Sequence, residues 1–139
     1  MFQVRRPQKI SAEEVFPEYL EICRRVSAQL TRAGLDVPAA GSQAEVRFFS
    51  HPRPRRVIDV LRAYSEVLQS QLDAGESLRD DKKLLWRMLA KLGYVPRSGV
   101  FDSIEAGDVI EVFTGDNWQI FRNMAYFDLV HITVDEPAT

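Results

Sequence analysis

The last third of the chain constrains the fold more than any other part, because its periodicity changes within thirty residues. Residues 108–113 and 118–122 each alternate apolar and polar side chains, as half-buried strands do. The residues between them, Thr114–Asn117, are those of a tight turn, so the two runs are predicted to form a hairpin. From Asn123, which can cap a helix, the apolar spacing becomes helical as far as about Val130. The sequence therefore predicts a β-hairpin followed by a short terminal helix.

A first amphipathic helix is predicted before residue 34. Ser11 and Glu14 have the spacing of a capping box, in which each side chain bonds the other residue's backbone N–H. Pro17 is too deep for an undisturbed helix from that cap, so a kink is expected, with the main helix restarting at the proline. Gly34 is a natural stop. The predicted apolar stripe consists of Phe16, Leu20, Cys23, Val26 and Leu30.

Two further helices are predicted to pack as an antiparallel hairpin. The second runs from about Pro54 to Asp73, with Val57, Leu61, Tyr64, Leu68 and Leu72 facing inward. The third begins near Ser77 and Asp80, which can cap it, and ends at Gly93; its stripe is Leu78, Leu85, Met88, Leu89 and Leu92. The link between them is short, which favours antiparallel packing.

The remaining segments are predicted to be connections with little regular structure. Residues 35–56 hold three prolines and a glycine, with a short strand expected at Glu45–Phe49. Residues 100–105 are expected to form one helical turn. The fold class is therefore α+β: three main amphipathic helices, a β-hairpin and a short terminal helix. Residues 1–139 are predicted to form a single domain, with a helical part at about 11–93 and the hairpin and terminal helix at about 100–133.

Composition narrows the classes of function. No apolar run is long enough to span a bilayer and no secretory signal pattern is present, so no membrane association is expected. One cysteine, Cys23, excludes an internal disulfide and a multi-cysteine metal site, which favours the cytoplasm. The two histidines, His51 and His131, have no metal-ligand spacing, and no nucleophile or phosphate-loop motif occurs. We therefore expect a protein that is not an enzyme and that needs neither metal nor cofactor.

A cluster of arginines is the sharpest charged feature. Residues 1–62 carry 11 lysines and arginines against 7 acidic residues, although the whole chain has a net charge of −2. Guanidinium groups at a predicted helix start, together with free backbone N–H groups, suit a phosphate or carboxylate. The candidate anion-binding residues are Arg53, Arg55, Arg56 and Arg62, which would serve a nucleic-acid or phosphate-ligand binder. The alternative is a solvated loop that forms ion pairs with the acidic second half.

The large aromatic residues offer a second candidate surface. Trp86 and Trp118 are expected to anchor packing, although Trp86 would serve equally as an interface anchor. An interaction surface on the second and third helices would use Tyr64, Leu68 and Trp86. Periodicity alone leaves packing and partner contact open.

The C-terminal segment resembles the opening of a PAS sensory domain. The resemblance rests on the first strand at 109–113, the turn at 115–117, the second strand at 118–121, and Asn123 at a helix start; Leu129 and the acidic pair Asp135–Glu136 complete it. It covers about thirty residues. The resemblance implies a sensory or regulatory role. We therefore expect a cytoplasmic regulatory domain that acts through protein contacts, with a protein partner or a second copy of itself in a homodimer.

Overall fold

The structure, a computed structural model, describes residues 12–136. Five helices and one two-stranded sheet are present in this part of the chain, in the order α1 (Ala12–Thr31), α2 (Ala44–Phe49), α3 (Pro54–Asp73), α4 (Asp81–Leu92), a 3₁₀ turn (Phe101–Ser103), β1 (Glu111–Phe113), β2 (Gln119–Arg122) and α5 (Met124–Leu129). The predicted α+β class is confirmed: three long helices precede the hairpin and the short terminal helix.

The long helix α1 differs from the prediction at its proline. It is continuous through Pro17 instead of restarting there. The proline removes one hydrogen bond, the one that its N–H would give to the carbonyl of Glu13, and the apolar face on both sides of it is buried. The buried face is Val15, Tyr19, Ile22, Cys23, Val26, Gln29 and Leu30, so Phe16 and Leu20 lie at its edge. The predicted cap at Ser11 lies outside the described residues.

Helices α3 and α4 form as predicted, but only Tyr64 and Leu68 of the inward face predicted for α3 are buried, and the other three residues of that face are partly buried. α3 has the predicted bounds, with Pro54 in its first turn. The Asp80 side chain caps α4 by accepting the Lys83 N–H, and Gly93 ends the helix at a φ of 80°, which glycine adopts without strain. α3 packs between α1 and α4, and Ile58, Leu68, Leu84 and Met88 are fully buried among them. The core of the domain therefore centres on α3.

The predicted strand at 45–49 is wrong, because this segment is the helix α2. Ala44 and Phe48, four residues apart, lie on one side of it and are buried. The Phe48 ring stacks on Tyr19 of α1, with 4.4 Å between ring centroids. Packing on α1 buries the Phe48 side chain, whereas a strand without a partner strand would leave it exposed.

The hairpin is shorter than predicted and irregular. β1 pairs antiparallel with β2, and a bulge separates Val112 from Phe113. Before β1, the side chain of Asn123 accepts the Ile110 N–H at 2.9 Å and the Asn123 backbone N–H donates to the Ile110 carbonyl at 3.1 Å, so this asparagine extends the pairing beyond the two strands. It also caps α5 through the Tyr126 N–H, as predicted. β2 is held on α3 by the Tyr64 hydroxyl, which donates to the carbonyl of Arg122 at 2.6 Å.

Candidate functional site: a cleft between the helices and the hairpin

A cleft of about 570 Å³ opens between α1, α3 and β2. Two separate packing contacts form its sides: α2 is held on α1 by Phe48 and Tyr19, while β2 is held on α3 by Tyr64 and Phe121, whose centroids are 6.1 Å apart. Between these contacts the wall is mainly apolar; Val57, Val60 and Leu61 come from α3, Ile120 from β2, Val26 from α1 and Phe127 from α5. A site of this volume with an apolar wall is typical of small-molecule binding.

The first charged group in the wall is Arg47 of α2. Its Nη2 donates to Asp135 Oδ2 at 2.5 Å, and the Asp135 side chain is completely buried. The carboxylate also accepts the Gly41 N–H at 3.0 Å and the Thr133 hydroxyl. Both oxygens of Asp135 are therefore occupied, and its charge is balanced by Arg47, whose guanidinium pKa is raised by the hydrogen bond to Asp135.

The second charged group is Arg122, at the end of β2. Its Nε donates to the side-chain oxygen of Gln119, and its Nη2 donates to the carbonyl of Glu136 at 2.5 Å. The guanidinium lies 5.1 Å from the centre of the Tyr126 ring. Within residues 12–136 no carboxylate forms an ion pair with Arg122. Burial lowers the pKa of this guanidinium and outweighs the attraction of the surrounding tyrosines and glutamates.

The mouth of the cleft is formed around Trp118. The guanidinium of Arg56 lies 4.5 Å from the centre of the indole ring, and the His51 ring lies 4.8 Å from it. Asp116 bonds Arg56 at 2.8 Å, so this cation is neutralised. Burial and the Arg56 charge lower the pKa of His51, and its Nδ1 accepts the Arg53 N–H. The mouth is thus aromatic and close to electrically neutral at pH 7.

The arginine cluster predicted to bind an anion is occupied largely by carboxylates. Arg55 bonds Glu18 at 3.1 Å, and Arg62 forms an ion pair with the same glutamate. Asp59 lies 3.5 Å from Arg55 and 3.6 Å from Arg62.

Of the four predicted residues, only Arg53 has no ion pair among the residues that the structure describes. Arg56, the fourth, is paired with Asp116 at the cleft mouth. Only Arg56 pairs with the acidic second half of the chain, as the alternative predicted; Arg55 and Arg62 pair with acidic residues of the first half, and anion binding stays a prediction.

The three residues of the predicted interaction surface do not share one surface. Tyr64 and Leu68 are 6% and 0% exposed, so they belong to the core and are not accessible to a partner. The amphipathic stripe of α3 is covered by the chain itself, which is the physical reason for the correction. Trp86 is 59% exposed, and the expectation that it anchors packing is wrong. It forms a shallow depression with Phe101, edged by Lys82, Lys83, Arg87 and Glu76.

Other candidates for chemistry are limited in the described part of the chain. Cys23 is fully buried, and burial raises the pKa of its thiol to about 12, so it is not a nucleophile at neutral pH. Residues 12–136 contain no group of three or more His, Cys, Asp or Glu side chains that would hold a metal ion. No described helix has the length and apolar character needed to cross a bilayer.

Sequence reasoning missed the cleft, because its wall comes from six segments that extend along the chain from α1 to residues 134–136. The pairing of Arg47 with Asp135 joins residues 88 positions apart and has no local signal. The one usable signal was Arg122, a charged residue at the end of a strand that reads as half-buried. Comparison with protein-family profiles, curated protein sequences and solved structures finds no match to this chain.

Proposed function

We propose that this chain is a non-enzymatic cytoplasmic regulatory domain that binds a small molecule in the cleft and acts on a protein partner. The cleft carries the proposal: its volume lies within the roughly 300–1,000 Å³ that is usual for ligand sites. Its wall is apolar with a few polar groups, which is the composition expected where a ligand is buried and oriented. The resemblance to a PAS domain supports a sensory role, since Trp118, Phe121 and Asp135 belong both to that segment and to the cleft wall.

Nuclear magnetic resonance with a neutral apolar probe tests the proposal. We expect phenylnaphthylamine to shift the backbone amide signals of Leu61 and Phe121 in a saturable way, while that of Trp86 stays in place. Leu61→Trp, which fills the cleft with a larger side chain, should abolish these shifts. Leu129→Trp is the matched control, because Leu129 is 68% exposed on α5 and does not line the cleft. Absence of saturable shifts in the native chain contradicts ligand binding in the cleft.

The exposed face around Trp86 supports a second part of the proposal, contact with a protein partner. A tryptophan that is 59% exposed beside Phe101 is of the residue type that most often dominates binding at interfaces. Self-association in a homodimer is tested by sedimentation over a range of concentrations. Trp86→Glu should weaken association, while Leu129→Glu, at another exposed apolar position on a different helix, should not. A chain that stays monomeric at every concentration contradicts the homodimer.

The nucleic-acid alternative receives less support from the geometry. Arg55, Arg56 and Arg62 would have to exchange carboxylate partners for phosphates, which lowers the gain from each contact. A phosphate-binding surface would show affinity for DNA or RNA that falls steeply with added salt. We expect no such salt-dependent binding, and its detection by fluorescence anisotropy would revive this alternative.

A further inference from the structure

Arg122 differs from the other arginines near the cleft in having no anionic partner. Arg56 bonds Asp116 and Arg47 bonds Asp135, both with nitrogen–oxygen distances below 3 Å. No carboxylate oxygen of residues 12–136 lies within 4.0 Å of the Arg122 guanidinium. A partly buried cation of this kind is costly unless an anion compensates it. The cleft therefore presents a positive charge whose partner is not supplied by the described residues.

The donors of Arg122 also leave room for such a partner. Nε and Nη2 are engaged with neutral acceptors, the side chain of Gln119 and the backbone carbonyl of Glu136. Nη1 has no acceptor among the described residues. Since Arg122 lines the cleft, a group bound in the cleft reaches this residue without crossing the core.

The nearby carboxylates do not cancel this charge by contact. Both oxygens of Asp135 are used by Arg47, Gly41 and Thr133. Glu111 and Glu136 both attract Arg122 from a distance; Glu136 lines the cleft, and only its backbone carbonyl touches the guanidinium. Replacing the Glu136 charge should accordingly strengthen the positive potential at Arg122.

We infer that the ligand of the cleft is a small organic anion, with its carboxylate or sulfonate on Arg122 and its apolar body against Val60, Leu61 and Phe121. This inference rests on the proposed function, because it specifies the ligand of the same cleft. A charge-assisted hydrogen bond to the guanidinium would hold the anionic group, and the apolar wall would bury the rest of the molecule.

Two fluorescent probes that differ by one charged group test the inference. Anilinonaphthalene sulfonate is phenylnaphthylamine with an added sulfonate, so the pair isolates the contribution of the anion. We expect Arg122→Gln to weaken sulfonate binding about tenfold or more, as loss of a charge-assisted hydrogen bond does. Binding of the neutral probe should change less than about twofold. Arg122→Lys, which keeps the charge, should retain most of the sulfonate affinity.

Variants around Arg122 provide the controls. Glu136→Gln should strengthen sulfonate binding by about two- to fivefold, the opposite sign to Arg122→Gln, because it removes a repelling charge. Arg55→Gln removes an arginine outside the cleft wall and should change neither probe's affinity. Cooperative urea unfolding of each variant is required first, since loosely packed states bind the sulfonate non-specifically. If Arg122→Gln does not fold cooperatively, Glu136→Gln alone decides by the sign of its effect.

Three results are decisive. If Arg122→Gln selectively lowers the affinity for the sulfonate probe and Glu136→Gln raises it, the inference is supported. If each probe binds the variants as tightly as it binds the native chain, the inference of an anionic ligand is overturned, while ligand binding in the cleft still stands. Failure of both probes to bind the native chain overturns the anion and the proposed function together.

Discussion

Replacing Asn123 should test the hydrogen-bonded junction between α4, the approach to β1 and α5. Its side-chain oxygen accepts the N–H groups of Tyr126 at 3.1 Å and of Ile110 at 2.9 Å. Its side-chain nitrogen donates to the carbonyl of Asp108 at 2.7 Å and to a carboxylate oxygen of Asp81 at 3.1 Å. The side chain is completely buried, so one residue joins α5, the approach to β1 and the first turn of α4.

The cost of Asn123→Ala follows from the groups that it leaves unpaired. Loss of the helix cap costs about 1 kcal/mol. A buried backbone group left without a partner costs about 1–3 kcal/mol. The Ile110 N–H and the Asp108 carbonyl are such groups, but Ile110 is only partly buried and Asp108 is exposed, so the lower part of that range applies. We expect the free energy of unfolding to fall by about 2–4 kcal/mol in total.

Urea unfolding followed by circular dichroism measures this change. With a denaturant dependence of about 2 kcal/mol per molar, the midpoint should fall by at least about 1 M. Asn117→Gly is the matched control, because Asn117 is exposed in the hairpin turn at a φ of 68° that glycine adopts freely. A midpoint for Asn123→Ala that equals that of the native chain would refute the hydrogen-bonded junction.

Three other perturbations follow from the same structure. Trp86→Ala should lower the free energy of unfolding by less than about 1 kcal/mol because the ring is largely exposed; a loss of about 3–5 kcal/mol in thermal melts would place it in the core instead. Burial raises the pKa of Cys23 to about 12, so its thiol favours the folded state below its unfolded pKa of about 8.5; this contribution should be lost as the pH rises from about 8.5 to 12. A shallower loss of stability over that range in Cys23→Ala would verify the assignment, and an unchanged slope would contradict it. Gln29 and Ser65 exchange two buried hydrogen bonds between α1 and α3. Gln29→Ala and Ser65→Ala should each lower the free energy of unfolding by about 1–3 kcal/mol, and the double variant should lower it by less than the sum of the two. Additive losses in urea unfolding would show that the two residues are not coupled.

The parts of the fold that sequence predicts well are those with local signals. α3 and α4 have apolar stripes many residues long, and Pro54, Asp80 and Gly93 mark their ends. Asn123 predicted the start of α5 because an asparagine cap acts on residues three positions away. These signals arise from contacts within one segment, where residues that touch each other are also close together along the chain.

The parts that sequence did not predict depend on contacts between distant segments. Six residues at 44–49 are too few to show a helical period, and Phe48 is fixed by Tyr19, which lies 29 positions earlier. Likewise, an apolar stripe predicts burial without showing whether another helix or a partner covers it, so Tyr64 and Leu68 fit both the predicted inward face of the helix and the predicted interaction surface. The candidate site also depends on contacts between distant segments. The lack of an ion pair at Arg122 becomes visible only when the positions of all nearby carboxylates are known.

Intermolecular nuclear Overhauser effects between the native chain and bound anilinonaphthalene sulfonate test the central claim most directly. We predict contacts from the naphthalene ring to the side chains of Leu61 and Phe121, with the sulfonate end of the probe nearest to Arg122. Contacts to Trp86 and Phe101 instead, with none to the cleft wall, would contradict the claim that the cleft is the ligand site.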